Sequence, residues 1–121
     1  METETIAVLG SRTFSDFDLM KKVLDCEGKF ILVSGGAEGA DSLAERYADG
    51  KGYEKTIFAP DYETYGNAAP LIRNEKIIDE CDKIIAFMVG ETPGTMGALA
   101  LARKKNKPAQ VIRVVGETNA Q

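Results

Sequence analysis

Five short apolar runs, Ile6–Leu9, Phe30–Val33, Ile57–Ala59, Ile84–Val89 and Val111–Val115, alternate along the chain with longer segments of helical period. Short apolar runs read as strands, and stretches with apolar residues three and four apart read as amphipathic helices. Repeated strand–helix units lead to a parallel sheet, because each helix carries the chain back to the edge from which the next strand starts. Ile6–Leu9, Phe30–Val33 and Ile84–Val89 are apolar without alternation, as expected of strands covered on both faces, so they are central. Lys55-Thr56-Ile57 and Gln110-Val111-Ile112-Arg113 mix in polar residues and suit the margins of the sheet. The expected fold is therefore α/β: a three-layer, Rossmann-like, open parallel five-stranded sheet in the order 3-2-1-4-5, with helices on both faces. At 121 residues and 44% apolar content, one core suffices without staples. Residues 1–115 are read as a single domain and 116–121 as a polar tail.

Four helices are expected. The first begins at Ser15, buries Phe17, Met20 and Leu24, and stops at Gly28. The second runs from about Gly39 to Asp49, the third from Pro70 to about Cys81, and the fourth from near Thr95 to the stop at Asn106 and Pro108. On the third, Leu71, Ile77, Ile78 and Cys81 form an apolar arc with Asn74 in its middle, which predicts a buried amide that needs a partner. Cys26 and Cys81 are read as reduced core thiols.

Absences narrow the chemistry. The chain has no histidine, which removes the commonest zinc ligand and the neutral-pH proton shuttle of Ser-His and Cys-His nucleophile systems. No run approaches the roughly 20 apolar residues of a membrane span and no leader is apparent, so the reading is a soluble, unprocessed, cytoplasmic protein without membrane partners. A net charge of −4 speaks against general nucleic-acid binding. The basic run Arg103-Lys104-Lys105, with Lys107, reads as a solvated last helical turn.

In such a sheet, ligands bind beyond the carboxyl ends of the strands where the strand order reverses, here between the first and fourth strands. The loops to inspect are Gly10-Ser11-Arg12-Thr13, Ser34-Gly35-Gly36-Ala37-Glu38-Gly39-Ala40-Asp41, and Gly90-Glu91-Thr92-Pro93-Gly94-Thr95. Glycine lets an anion approach main-chain amides, and a following helix adds unpaired N–H donors. None of these loops matches GxGxxG or GxxxxGK[ST] in full, which disfavours a standard NAD enzyme or ATPase. The candidate phosphate-binding residues are Gly10, Ser11, Arg12, Ser34, Gly35, Gly36, Gly39, Asp41, Arg73, Asn74, Gly94 and Thr95. Arg73 offers a planar fork to a phosphate. Tyr62 and Tyr65 lie in a loop, residues 60–67, that could fold over the site and stack on a base.

Together, Gly10-Ser11-Arg12, Ser34 to Asp41, Pro60-Asp61-Tyr62, Gly66, Ala68-Ala69, Arg73-Asn74 and Gly94-Thr95 resemble the YspA-type branch of the SLOG (Smf/DprA–LOG) superfamily. The resemblance spans residues 6 to 115 and implies a Rossmann-like fold that binds nucleotides or nucleotide-derived ligands. Two departures stand out: Tyr62 occupies what resembles a tryptophan position, and Thr92-Pro93-Gly94-Thr95 replaces a more glycine-rich turn. The position matching the catalytic glutamate of LOG-type phosphoribohydrolases is Ala98, which weighs against an enzyme.

The leading expectation is a binding module or sensor for a nucleotide or phosphorylated nucleotide derivative. One alternative is a hydrolase or transferase at the N-glycoside of a nucleoside monophosphate, with Glu38, Asp41, Asp61 and Glu91 as candidate catalytic carboxylates. The other is a homo-oligomeric interaction domain with a vestigial pocket. A homodimer or higher homo-oligomer is expected in any case. No cofactor is required and no metal cage is visible, although Mg²⁺ is compatible with a ligand phosphate.

Overall fold

A computed structural model describes residues 3–114. Five parallel strands form one sheet in the order β3-β2-β1-β4-β5. They are β1 (Glu4–Gly10), β2 (Phe30–Ser34), β3 (Lys55–Ile57), β4 (Lys83–Val89) and β5 (Ala109–Val114). The helices are α1 (Phe17–Asp25), α2 (Ala40–Lys51), a short α3 (Tyr62–Tyr65) continued by a 3-10 turn at Gly66–Ala68, α4 (Ala69–Glu80) and α5 (Pro93–Lys104). The expected fold and strand order hold. Val115 and the expected tail lie outside the described residues.

Strand parity sorts the core into two halves. Ile6 and Val8 of β1, Phe30 and Leu32 of β2, and Ile85 and Phe87 of β4 face α1 and α2. Their neighbours Ala7, Leu9, Val33 and Ile84 face α4 and α5. Ala40, Ala44 and Ala48 recur every fourth residue on the buried side of α2, and Ala98 and Ala102 do the same on α5. These methyl-sized contacts bring both helices close to the strands. At the edges, Lys55 of β3 pairs with Glu45 and Asp49 of α2, which keeps a charge on that margin.

Several local expectations need correction. Helix α1 starts two residues after Ser15, because Asp16 is the N-cap and accepts from the Leu19 amide at 3.0 Å. Phe17 is only half-buried; the large ring in the core is Phe14, packed 5.1 Å from Phe87. Leu71 is 63% exposed, so the buried arc of α4 is narrower than its periodicity suggests. Asn74 is half-buried rather than buried. Cys26 is exposed while Cys81 is in the core. The segment expected as a loop at 60–67 holds α3, capped by Asp61 accepting from the Thr64 amide at 3.1 Å.

Gly10 is where β1 meets both neighbours most tightly. A Cβ there would overlap the Phe87 carbonyl and lie 2.7 Å from the Ala40 methyl. Overpacking of this kind costs roughly 1–3 kcal/mol, so Gly10→Ala should lower the urea midpoint without changing its slope. A Cβ added at Gly97 of α5 would meet nothing within 4 Å. Gly97→Ala should instead raise stability by about 0.5–1 kcal/mol, as glycine replacement in a helix does.

Candidate functional site

At the sheet's switch point, between the carboxyl ends of β1 and β4, lies a cavity of about 270 Å³. Its wall takes Leu9, Gly10 and Arg12 from the end of β1 and its loop, Ala37 and Asp41 from the second loop and α2, Pro70, Arg73 and Asn74 from α4, and Thr92, Gly94, Thr95 and Ala98 from the start of α5. The three glycine-bearing loops do converge, but they are not equivalent.

The first loop is spent on structure. The Ser11 hydroxyl is buried, accepts from the Val89 amide at 2.9 Å and sits 2.5 Å from the Thr92 hydroxyl, so it ties the β1 loop to the β4 loop. The Ser11 amide donates to the Phe87 carbonyl, and its own carbonyl accepts from the Ala40 amide. Only the exposed Arg12 side chain is left to face the cavity.

The second loop is plugged by the protein itself. Asp41 Oδ2 accepts from the amides of Gly35 at 3.2 Å and Ala37 at 3.3 Å, standing where an anion was expected. Ser34 donates its hydroxyl to the Val8 carbonyl at 3.0 Å. Gly36 is exposed and does not line the cavity; Gly39 is the N-cap of α2, pressed against the carbonyls of Ser11 and Arg12. Five expected phosphate-binding residues, Ser11, Ser34, Gly35, Gly36 and Gly39, are thus not among those that line the cavity.

The third loop is open. Helix α5 begins with Thr92 as N-cap and makes no side-chain capping bond, because the Thr92 hydroxyl is engaged with Ser11. Pro93 has no N–H, so the orphan donors of this helix end are the amides of Gly94 and Thr95, both of which line the cavity. Thr92 was not among the residues expected from sequence; a threonine directly before a proline and a helical period was the signal for it.

Arg73 and Asn74 face these amides from α4. Arg73 donates through Nη1 to the Gly35 carbonyl at 3.0 Å and through Nε to Asn74 Oδ1 at 2.9 Å. The backbone approach needed for this explains Gly35: a Cβ there would meet Arg73 Nη1 at 2.7 Å and Asp41 Oδ2 at 3.0 Å. The guanidinium is fixed on two of its nitrogens and keeps Nη2 for a further acceptor. Of the four candidate carboxylates, only Asp41 lines the cavity. Glu38 and Glu91 are exposed, and Asp61 serves as the cap of α3. Tyr62 and Tyr65 are 59% and 40% exposed and lie outside the cavity wall.

Burial pushes the Asp41 carboxyl up to about 6; its two amide donors and the nearby Arg73 charge only partly offset that cost. The folded chain therefore holds this proton more tightly than an unfolded chain titrating near 3.8. The stability contributed by protonation is complete below that lower value and is lost as pH rises through about 6. Asp41→Asn keeps an oxygen for both amides and removes the charge. It should lose the fall in stability that Asp41 causes between these values and exceed the parent above them by up to about 3 kcal/mol, as urea unfolding of both at pH 4 to 8 would read.

A parallel sheet of this order with a crevice at its reversal point defines a Rossmann-like domain. The chain belongs to the YspA, cpYpsA-related SLOG family, whose family model matches residues 5–65. It is 31% identical over 114 residues to the Gene 61 protein of Mycobacterium phage D29, covering 85% of this chain and 91% of that one. DNA processing protein A from Helicobacter pylori, a structure described for its single-stranded DNA binding mode, superposes with a TM-score of 0.68 at 21% identity, covering 89% of this chain and 64% of that one. DNA processing protein A (DprA) from Streptococcus pneumoniae gives a TM-score of 0.56 at 18% identity, covering 91% of this chain and 58% of that one. The chain thus spans about three-fifths of the length of these solved structures.

These neighbours overturn two expectations. They are DNA-processing proteins rather than nucleotide sensors, and one is described for the way it binds single-stranded DNA. The nucleotide-sensor reading is withdrawn, and the phosphoribohydrolase and homo-oligomer alternatives are no better supported. The exclusion of nucleic acid fails for a physical reason as well. Net charge averages over the whole surface, whereas a strand meets only a few groups. Here acidic side chains cluster with lysines elsewhere, as in the Lys51–Asp25 and Lys55–Glu45 pairs, while two arginines line the cavity. Among the described residues, no helix is long and apolar enough to cross a membrane.

Proposed function

We propose that this cavity seats a backbone phosphate of single-stranded DNA. The observation that carries the reading is the uncapped N-terminus of α5, where Gly94 and Thr95 line the same hollow as Arg12 and Arg73. Main-chain N–H groups and the positive end of a helix favour an anion, and a guanidinium already braced on two sides loses little freedom in meeting one. A concave site of about 270 Å³ takes a phosphate with its sugar, whereas a duplex would need a protruding helix or ribbon to enter its groove. The single-stranded DNA binding described for the Helicobacter pylori neighbour supports the same choice.

In this reading Tyr62 and Tyr65 are stacking platforms for bases that flank the seated phosphate. Both rings are exposed on α3, which packs against the start of the helix that carries Arg73. Asp41 sets the threshold: its charged form repels phosphate and its neutral form does not. Glu38, Asp61 and Glu91 have no part in it.

The test is fluorescence anisotropy with a labelled oligothymidylate at low salt. Arg73→Gln should weaken binding by roughly 1.5–3 kcal/mol, the size of a charged hydrogen bond, with thermal unfolding measured alongside. Absence of binding by the parent protein, or an unchanged affinity in a folded Arg73→Gln variant, would overturn the proposal. Binding by the parent should also tighten as pH falls through about 6, and Asp41→Asn should bind tightly and without that dependence.

A further inference from the structure

A second and larger cavity, about 570 Å³, lies between α5 and the exposed margin of the sheet. Parity explains why it exists. Ile112 and Val114 of β5 point into the core, so Ala109, Val111 and Arg113 must point to the opposite face, where α5 does not fully cover them. The floor is apolar, with Met96 43% and Val111 37% exposed. Among the described residues, the charged lining is Arg103, Lys107 and Arg113, without a carboxylate. Among the described residues, no acidic side chain pairs with either arginine. Lys107 donates to the Cys81 carbonyl at 2.6 Å, which fixes its ammonium in place with two donors to spare.

This arrangement divides the basic run noted in the sequence. Lys105 turns away to pair with Asp79 at 2.6 Å, while Arg103 and Lys107 line the groove. The groove also adjoins the first site, since the consecutive residues Thr95 and Met96 open on the two different cavities. From there it follows α5, whose 12 residues span about 18 Å, the run of a few nucleotides.

We infer that the α5–β5 groove is a second binding segment for single-stranded DNA, continuing the strand from the phosphate seated at the start of α5. The inference rests on the function proposed above and adds the path and polarity of the contact surface: cations at intervals for phosphates, and a Met96–Val111 floor for bases. Sequence-independent strand sites combine a cationic groove with a surface on which bases rest; here that surface is aliphatic rather than aromatic.

Its test separates the groove from the first cavity by length. Two labelled oligothymidylates, one of about four nucleotides and one of about fifteen, are titrated against the parent, Arg103→Glu/Arg113→Glu, Arg73→Gln and a charge-matched control, Lys29→Glu/Lys104→Glu, whose exposed lysines lie outside the groove. The groove variant should bind the long probe at least about tenfold more weakly, with its salt slope reduced by about 1.4 for two lost phosphate contacts, and should bind the short probe like the parent. The control should keep both affinities. Unchanged long-probe binding in the groove variant overturns the groove while leaving the first site standing, provided Arg73→Gln weakens both probes. A groove variant that alters self-association by sedimentation, and not long-probe affinity, also overturns it, making the face a contact between copies. A parent that binds neither probe overturns the function proposed above, and the groove with it.

Discussion

The Asp41 carboxylate, folded back onto the amides of Gly35 and Ala37, is the contact around which the rest of the crevice is arranged. It closes the second loop on itself and places a buried acid beside Arg73 without a direct ion pair. It also leaves the Gly35 carbonyl turned outward to accept from that arginine. A carboxylate held in this way costs free energy when charged, because two amide bonds do not replace full hydration. The same bonds fix the loop without a bound ligand. The cavity is thus preformed, and its free main-chain donors lie at the α5 end rather than in the glycine-rich segment.

The three loops looked alike in sequence because each has glycine, a hydroxyl and a following helix. What separates them is who satisfies the donors. In the first, a tertiary partner does, since the Ser11 amide goes to Phe87 on the neighbouring strand. In the second, a side chain six residues on does so for Gly35. In the third, the hydroxyl that would have capped the helix is diverted to Ser11, and the donors stay open. One short contact between Ser11 and Thr92 therefore both joins two strand ends and uncaps a helix.

The fold was legible in the sequence since it follows from period and parity, which are local properties. Central strands announced themselves by unbroken apolar runs, and the sheet order followed from which runs were diluted with polar residues. The site was legible only to its location. That Asp41 rather than a ligand would take the loop amides depends on a helix first turn meeting a loop at 3.2 to 3.3 Å, which no spacing rule encodes. Phe14 escaped notice because it precedes the helix expected from Ser15 and belongs to no expected element; its ring packs against Phe87, 73 positions away by number. Leu71 was misplaced because helical angle alone does not say how far the neighbouring element reaches around the arc.

Charge shows the same limit at larger scale. A chain of net −4 can still place two arginines beside the single carboxylate of Asp41 at one hollow and three cations at another, with some of its other carboxylates held against lysines elsewhere. Local field at a concave surface is set by the groups within a Debye length, about 10 Å in moderate salt, and low-dielectric walls concentrate it. Arg12 and Arg73 line one cavity and Arg103, Lys107 and Arg113 line the other, and α5 contributes to both, through Thr95 to the first and through the adjacent Met96 to the second. That placement gives an extended polyanion more contacts than a compact one. It is the geometric reason to favour a strand over any single phosphorylated small molecule.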